Sequence, residues 1–222
     1  MMGANEVSLY RQKDAWLSIL ICYLIQIVVG FFLIPLLHSA FPSLSRITSN
    51  FCLPVLSVLI PVTYLGFRYG WIRLSDFLLR GSDYLVLLVA ISILFVRFSL
   101  VPSQSPHGAS ILYGQTMSQL PPFEYFLVLF ALVIYGPFLE ELLLRKYVFE
   151  IFRSNYNVFL AIIFTSFCMT FLHIDFENDI YALIKIFVYS LFYTVVYLKS
   201  RLGGSFFIHG LANLFIYVTW LR

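Results

Sequence analysis

Charge is what this chain has least of. Of its 222 residues only 11% are Asp, Glu, Lys or Arg, while 61% are hydrophobic and 19% aromatic. Soluble domains carry about 25% charged residues, so there is too little polar surface here for a soluble globule. Basic tracts and glycine-rich phosphate loops are missing too, which removes sequence support for nucleic-acid or nucleotide binding. The three cysteines, Cys22, Cys52 and Cys168, are odd in number, far apart and each set in an apolar segment. They make neither a disulfide framework nor a metal-ligand spacing, and read as buried thiols. A cleavable signal peptide is not expected. Residues 1–14 are polar, with Glu6, Arg11, Lys13 and Asp14, and the apolar run from Ala15 to Phe41 far exceeds the about 7–15 residues of a signal core. There is no internal repeat and no separate soluble domain.

What the chain does have is long apolar runs, several reaching the roughly 18–20 residues that cross a hydrocarbon core as a helix. The expected fold is an all-α polytopic membrane protein, a bundle of about seven transmembrane helices (six to eight). The expected spans are Ala15–Phe41, Phe51–Phe67, Tyr84–Val101, Phe123–Phe152, Asn157–His173, Ile180–Leu198 and Ser205–Leu221. Between the second and third lies "RYGWIRLSDFLLRGSD", whose mixture of charged and apolar residues predicts an interfacial amphipathic helix. The whole chain reads as one transmembrane domain, with its motif-bearing core over about residues 121–222. The net charge of +3 decides little, since membrane proteins distribute charge by topology. With the N-terminus in the cytoplasm, the inner ends and loops hold Arg11, Lys13, Arg68, Arg73, Arg80, Arg145, Lys146, Arg153, Lys199 and Arg201, against Arg46 and Arg222 outside. That asymmetry predicts an N-in, C-out integral membrane protein.

Three polar insertions interrupt the C-terminal half: "EELLLR" at 140–145, "FLHIDFEND" with His173, and "HGLAN" at 209–213. Residues four apart share a helix face, so Glu141 can pair with Arg145. Glu140 has Leu144 at that offset and so lacks an in-helix partner. A carboxylate without a partner in an apolar bundle is available as a general base or acid. His209 and Asn213 are also four apart and project together. They could stabilise an oxyanion or simply hydrogen-bond between helices. If the fourth span turns into the fifth at "RSNYN", Glu140 lies about 20 Å and His173 about 25 Å above that turn. His209 and Asn213 lie about 12 and 18 Å from Arg201 by the same rise. All four can therefore meet inside the membrane.

This ordered set resembles the CAAX-protease and bacteriocin-processing family (CPBP, or Abi) of intramembrane proteases, which carries EExxxR, FxxxH and HxxxN/D motifs. The resemblance covers about Pro137 to Asn213. It implies that Glu140 and His173 activate a water for attack on a peptide carbonyl, that His209 and Asn213 stabilise the oxyanion, and that Glu141 and Arg145 support the site. Two positions depart from the family pattern. Met169 stands where the second motif has Phe, and Lys146 follows Arg145 where Gly is common. The resemblance implies no cofactor; Glu140, His173 and His209 are the zinc ligands in the alternative case, since their side chains are chemically adequate.

The expected activity is therefore intramembrane endopeptidase, acting on peptides or membrane-associated protein segments, with the lipid bilayer as surroundings and no nucleic-acid partner. A bacterial plasma membrane is the expected setting, where the family suggests peptide maturation or bacteriocin self-immunity. The competing expectation is a non-enzymatic immunity factor or transporter component that uses the same carboxylates as an ion or proton relay.

Overall fold

The computed structural model describes residues 72–100, 120–173 and 180–220, together with 32–40, the pairs 111–112 and 115–116, and the single positions 20, 24, 28, 63 and 67. The chain divides into two compact units, 1–72 and 73–222. In the first, the described helix is α1, Ile34–Ala40. The expected spans Ala15–Phe41 and Phe51–Phe67 otherwise lie outside the described residues.

Among its described residues, the regular structure of the second unit is helical apart from a short antiparallel ladder, β1 (Ile111–Leu112) with β2 (Gln115–Thr116). Its helices are α2 (Gly81–Leu100), α3 (Pro122–Asn155), α4 (Val158–Leu172) and α5 (Ile180–Trp220). Three of these, over Gly81–Ser99, Pro122–Asn155 and Ile180–Tyr217, are long and apolar enough to cross a membrane, and α4 is a shorter apolar helix. Their large side chains lie widely exposed, among them Leu85, Leu88, Ile93 and Phe95 on α2 and Phe159, Phe167 and Phe171 on α4. Apolar surface on that scale needs hydrocarbon around it. The protein is an integral membrane protein.

Local chemistry sets the helix limits. Pro122 opens α3 in the first turn, where its missing N–H costs nothing. The helix ends at Asn155, and Asn157 then caps α4, its side-chain oxygen accepting from Leu160 N at 2.8 Å. Within α3 the backbone widens twice into π-helix, at Ala131–Tyr135 and Leu142–Phe149, and such stretches recur at functional sites. Helix α5 is in fact two helices that meet at a kink. Arg201 has φ 60 and ψ −164, a backbone conformation that only glycine adopts without strain. Tyr193 and His209 flank it at equal sequence distance and would lie about 24 Å apart on a straight helix, yet their ring centroids are 4.5 Å apart. Arg201 therefore reverses the chain, and residues 180–200 and 202–220 form two arms of a hairpin, where the sequence places the break between its last two spans.

This hairpin is the centre of the unit, with α2, α3 and α4 packed against it. The core joins Leu87, Ala90 and Leu94 of α2 to Tyr193 and Val196 of the first arm and Ile208 and Ala212 of the second. The α2 residues recur at helical spacing, so one stripe faces the core and the rest faces outward.

The amphipathic helix expected before α2 does not form over the described residues 72–80. A single 3-10 turn, Leu74–Asp76, stands there instead. Asp83 accounts for the break: its Oδ2 accepts from Arg80 N at 2.7 Å, taking a backbone donor that a longer helix would bond to its own carbonyl, while Asp76 Oδ2 accepts from Arg73 N at 3.0 Å and caps the short turn. Asp76 also meets Lys146 Nζ of α3 at 2.7 Å, and Arg201 Nη1 donates to Ser75 O at 3.3 Å. Gly203 lets this turn approach closely: a Cβ there would lie 2.5 Å from Phe77 O.

Candidate active site

The site grows from one turn of α3. Glu140 and Glu141 stand at the end of an α-helical stretch, Gly136–Glu141, just before the second π-helical one. The ion pair expected from the i,i+4 spacing is present, with Arg145 Nη1 3.3 Å from Glu141 Oε1 and both side chains fully buried. Arg145 reaches further. Its Nη2 donates to Ser190 Oγ at 3.0 Å and to Ser190 O at 3.2 Å on the first arm of α5. The guanidinium carbon lies 5.9 Å from the Tyr193 ring centroid, within cation–π range.

His209 enters from the second arm and touches both glutamates. Its Nδ1 is 2.9 Å from Glu141 Oε1 and its Nε2 is 3.6 Å from Glu140 Oε2. A carboxylate engaged with a guanidinium accepts and does not donate, so Nδ1 carries the hydrogen given to Glu141. That leaves Nε2 as the nitrogen facing Glu140. The result is a chain of contacts, Glu140 to His209 to Glu141 to Arg145 to Ser190, crossing three helical segments. Glu140 is its open end. Its side chain is 26% exposed where Glu141 shows none; Oε2 of each glutamate is buried without a hydrogen-bond partner among the described residues, so exposure and the bonds to Glu141 Oε1 are what set the two apart.

Close packing of α3 and the second arm makes this possible. A Cβ at Gly210 would lie 2.5 Å from Val133 O, so any larger residue would push the second arm away from α3 beside His209. One turn on, Asn213 Nδ2 donates to Leu132 O at 2.9 Å, inside the first π-helical stretch. The interhelical bond that the HGLAN motif allowed is thus present. An amide carries two N–H groups, so this bond fixes the side chain while leaving a second donor.

His173 sits apart from this chain. It closes α4, with φ −103 and ψ 0, and its Nδ1 donates to Met169 O at 2.9 Å. Among the described residues no hydrogen bond or ion pair joins it to Glu140, His209 or Asn213. Met169, the departure from the family's aromatic, is buried and packs as an apolar residue would. The zinc alternative needs Glu140, His173 and His209 together, and among the described residues no three His, Cys, Asp or Glu side chains gather to hold a metal ion.

Sequence reasoning missed Ser190 and Tyr193. A signal existed: Ser190 and Thr194, and Tyr193 and Tyr197, recur four apart in an otherwise apolar span, which marks polar stripes on one helix. It also missed the role of Lys146, whose partner lies in a turn far away in sequence.

Residues 122–215 match the family model described as Rce1-like, type II CAAX prenyl endopeptidase. This segment is similar to that family. The match holds all three motifs, from Glu140 to Asn213, and agrees with the CPBP resemblance carried by those same residues. Neither the curated proteins nor the solved structures give a match to this chain. The matched segment spans α3, α4 and nearly all of α5, so the family match and the chain of buried contacts occupy the same part of the molecule.

Proposed function

We propose that the protein is an intramembrane endopeptidase in which Glu140 activates the hydrolytic water. The observation that carries this reading is the asymmetry of the two glutamates, one closed into a buried network and the other open at its end. Glu140 takes a proton from water as the water oxygen attacks the peptide carbonyl carbon. The oxyanion that forms is met by N–H donors from His209 and Asn213. Collapse breaks the C–N bond, and the leaving amine recovers the proton from Glu140. With Nδ1–H given to Glu141, His209 presents an Nε2–H to the oxyanion as imidazolium, and the Glu141 carboxylate offsets that charge. The second N–H of Asn213 is aimed by the first. His173 enters on the motif resemblance, as partner of Glu140 in holding the water. The reaction needs no metal in this reading. Substrates are peptides or membrane-associated segments reaching the site within the bilayer; a bacterial plasma membrane with the N-terminus in the cytoplasm is the setting, and peptide maturation or bacteriocin self-immunity the role.

The test is cleavage of a quenched-fluorescent peptide library by purified protein in detergent, with Glu140→Ala alongside and a strong chelator added or omitted. The reading expects cleavage that survives chelation and disappears in Glu140→Ala. Cleavage lost to the chelator would instead assign a metal, and cleavage retained by Glu140→Ala would overturn the role of that residue.

The same chain of carboxylate, imidazole and carboxylate also suits a proton relay in a non-enzymatic protein. Asn213 separates the two. Asn213→Ala in a stably folded protein abolishes peptide cleavage if the amide serves the oxyanion, whereas a relay through Glu140 tolerates the change.

A further inference from the structure

The ring of Tyr193 touches two members of the buried network, His209 and Arg145. It stacks on the His209 imidazole with centroids 4.5 Å apart and planes 18° from parallel, and the Arg145 guanidinium carbon lies 5.9 Å from its centroid. Tyr193 and His209 are both about 3% exposed, so no solvent competes for either contact. The ring is itself held by neighbours on its own arm, Tyr189 at 6.3 Å and Phe192 at 5.9 Å between centroids. It reaches His209 only because Arg201 folds α5 back on itself.

A single hydrogen bond is a soft restraint, and an imidazole held by one can still rock through small changes in its two side-chain torsions. Glu141 holds Nδ1 within bonding distance but restrains the tilt of the ring only loosely. A flat aromatic face at stacking distance supplies the missing constraint, since tilting the imidazole would break the stack. With plane and Nδ1 both fixed, the direction of Nε2 toward Glu140 is fixed as well. Arg145 orders the same shelf by bonding Ser190 a turn earlier on that arm.

We propose that Tyr193 is a positioning residue for His209, setting the imidazole plane so that Nδ1 stays on Glu141 and Nε2 faces Glu140. The inference rests on the proposed function only where a rate is read. The aromatic face carries the role, not the hydroxyl, so Tyr193→Phe should serve and Tyr193→Leu should not.

Two measurements on the full chain in detergent test it. In 15N-histidine-labelled protein, with the His209 signals assigned by their loss in His209→Asn, wild type and Tyr193→Phe should show the same single pair of His209 nitrogen shifts, with Nδ1 hydrogen-bonded, and Tyr193→Leu a shifted or mixed set. In peptide cleavage, Tyr193→Leu should lower kcat by about 10²-fold, the scale of an ångström of misplacement, with KM nearly unchanged, while Tyr193→Phe restores the rate. A Tyr193→Leu protein that unfolds at the wild-type temperature and keeps the wild-type His209 signals would overturn the proposal. If Glu140→Ala still cleaves, the hydrolytic reading fails, yet the nitrogen spectra still decide the part played by Tyr193.

Discussion

Two clusters of charge lie within the second unit, and they differ in burial more than in composition. The inner one joins Glu141, Arg145 and His209, all with side chains at most 4% exposed. The outer one surrounds a polar pocket lined by Asp76, Lys146, Glu150, Arg153, Tyr197 and Arg201. There Lys146 meets Asp76 with side chains 22% and 18% exposed, and Arg153 meets Glu150 at 3.7 Å with 51% and 40% exposed. Tyr197 adds a bond to Glu150 Oε1 at 2.9 Å. The outer pairs tie a turn to the ends of helices, where water and salt screen them. The inner ones have no such screening, so each charge depends on its partner. The comparison teaches that the same residue types can be scaffold trim in one place and an all-or-none unit a few turns away.

Removing one inner charge should have the largest effect. Arg145→Ala strands the Glu141 carboxylate in a dry interior, and a loss of about 3–5 kcal/mol is expected for breaking such a pair. Thermal or denaturant unfolding in detergent would measure it; a loss under about 1 kcal/mol would show that the pair is screened like an exposed one. Next comes Gly210→Ala. The added methyl meets Val133 O, and overpacking on this scale costs about 1–3 kcal/mol. Because it pushes on the contact beside His209, cleavage should fall more than stability does, and equal falls would argue against close approach as the reason for that glycine. At the small end, Lys146→Gln should change stability by no more than about 1 kcal/mol and leave cleavage within a few-fold. A large loss of cleavage there would join the two clusters into one functional unit and break the contrast drawn between them.

Much of this was legible from residues whose effect is local. The polar stretch RSNYN interrupts an apolar run, so the α3–α4 turn could be read, and Lys199 and Arg201 marked the end of another. The Glu141–Arg145 pair followed from spacing on one helix. What escaped the sequence were contacts between segments. Nothing in the HGLAN motif says that His209 will land on Glu141 as well as near Glu140, because that depends on how closely Gly210 lets two helices approach. Tyr193 looked like one more aromatic among many until the reversal at Arg201 laid it against His209. The turn before α2 was misread for a related reason. Its alternation of charged and apolar residues suits an amphipathic helix, but Asp83 takes the Arg80 N–H that would extend it and Asp76 reaches a lysine 70 residues later.

The central claim is that adjacent glutamates divide the work, Glu140 doing chemistry and Glu141 holding His209 and Arg145. The most direct test is one pair of variants, Glu140→Gln and Glu141→Gln, each measured for unfolding and for peptide cleavage in the same detergent. The account predicts that Glu140→Gln unfolds like wild type while cleavage drops by about 10²–10⁴-fold, the usual worth of a general base. It predicts that Glu141→Gln loses stability first, with its activity falling as the folded fraction and His209 placement fall. A Glu140→Gln protein that cleaves normally, or a stable Glu141→Gln protein that is wholly inactive, would contradict it.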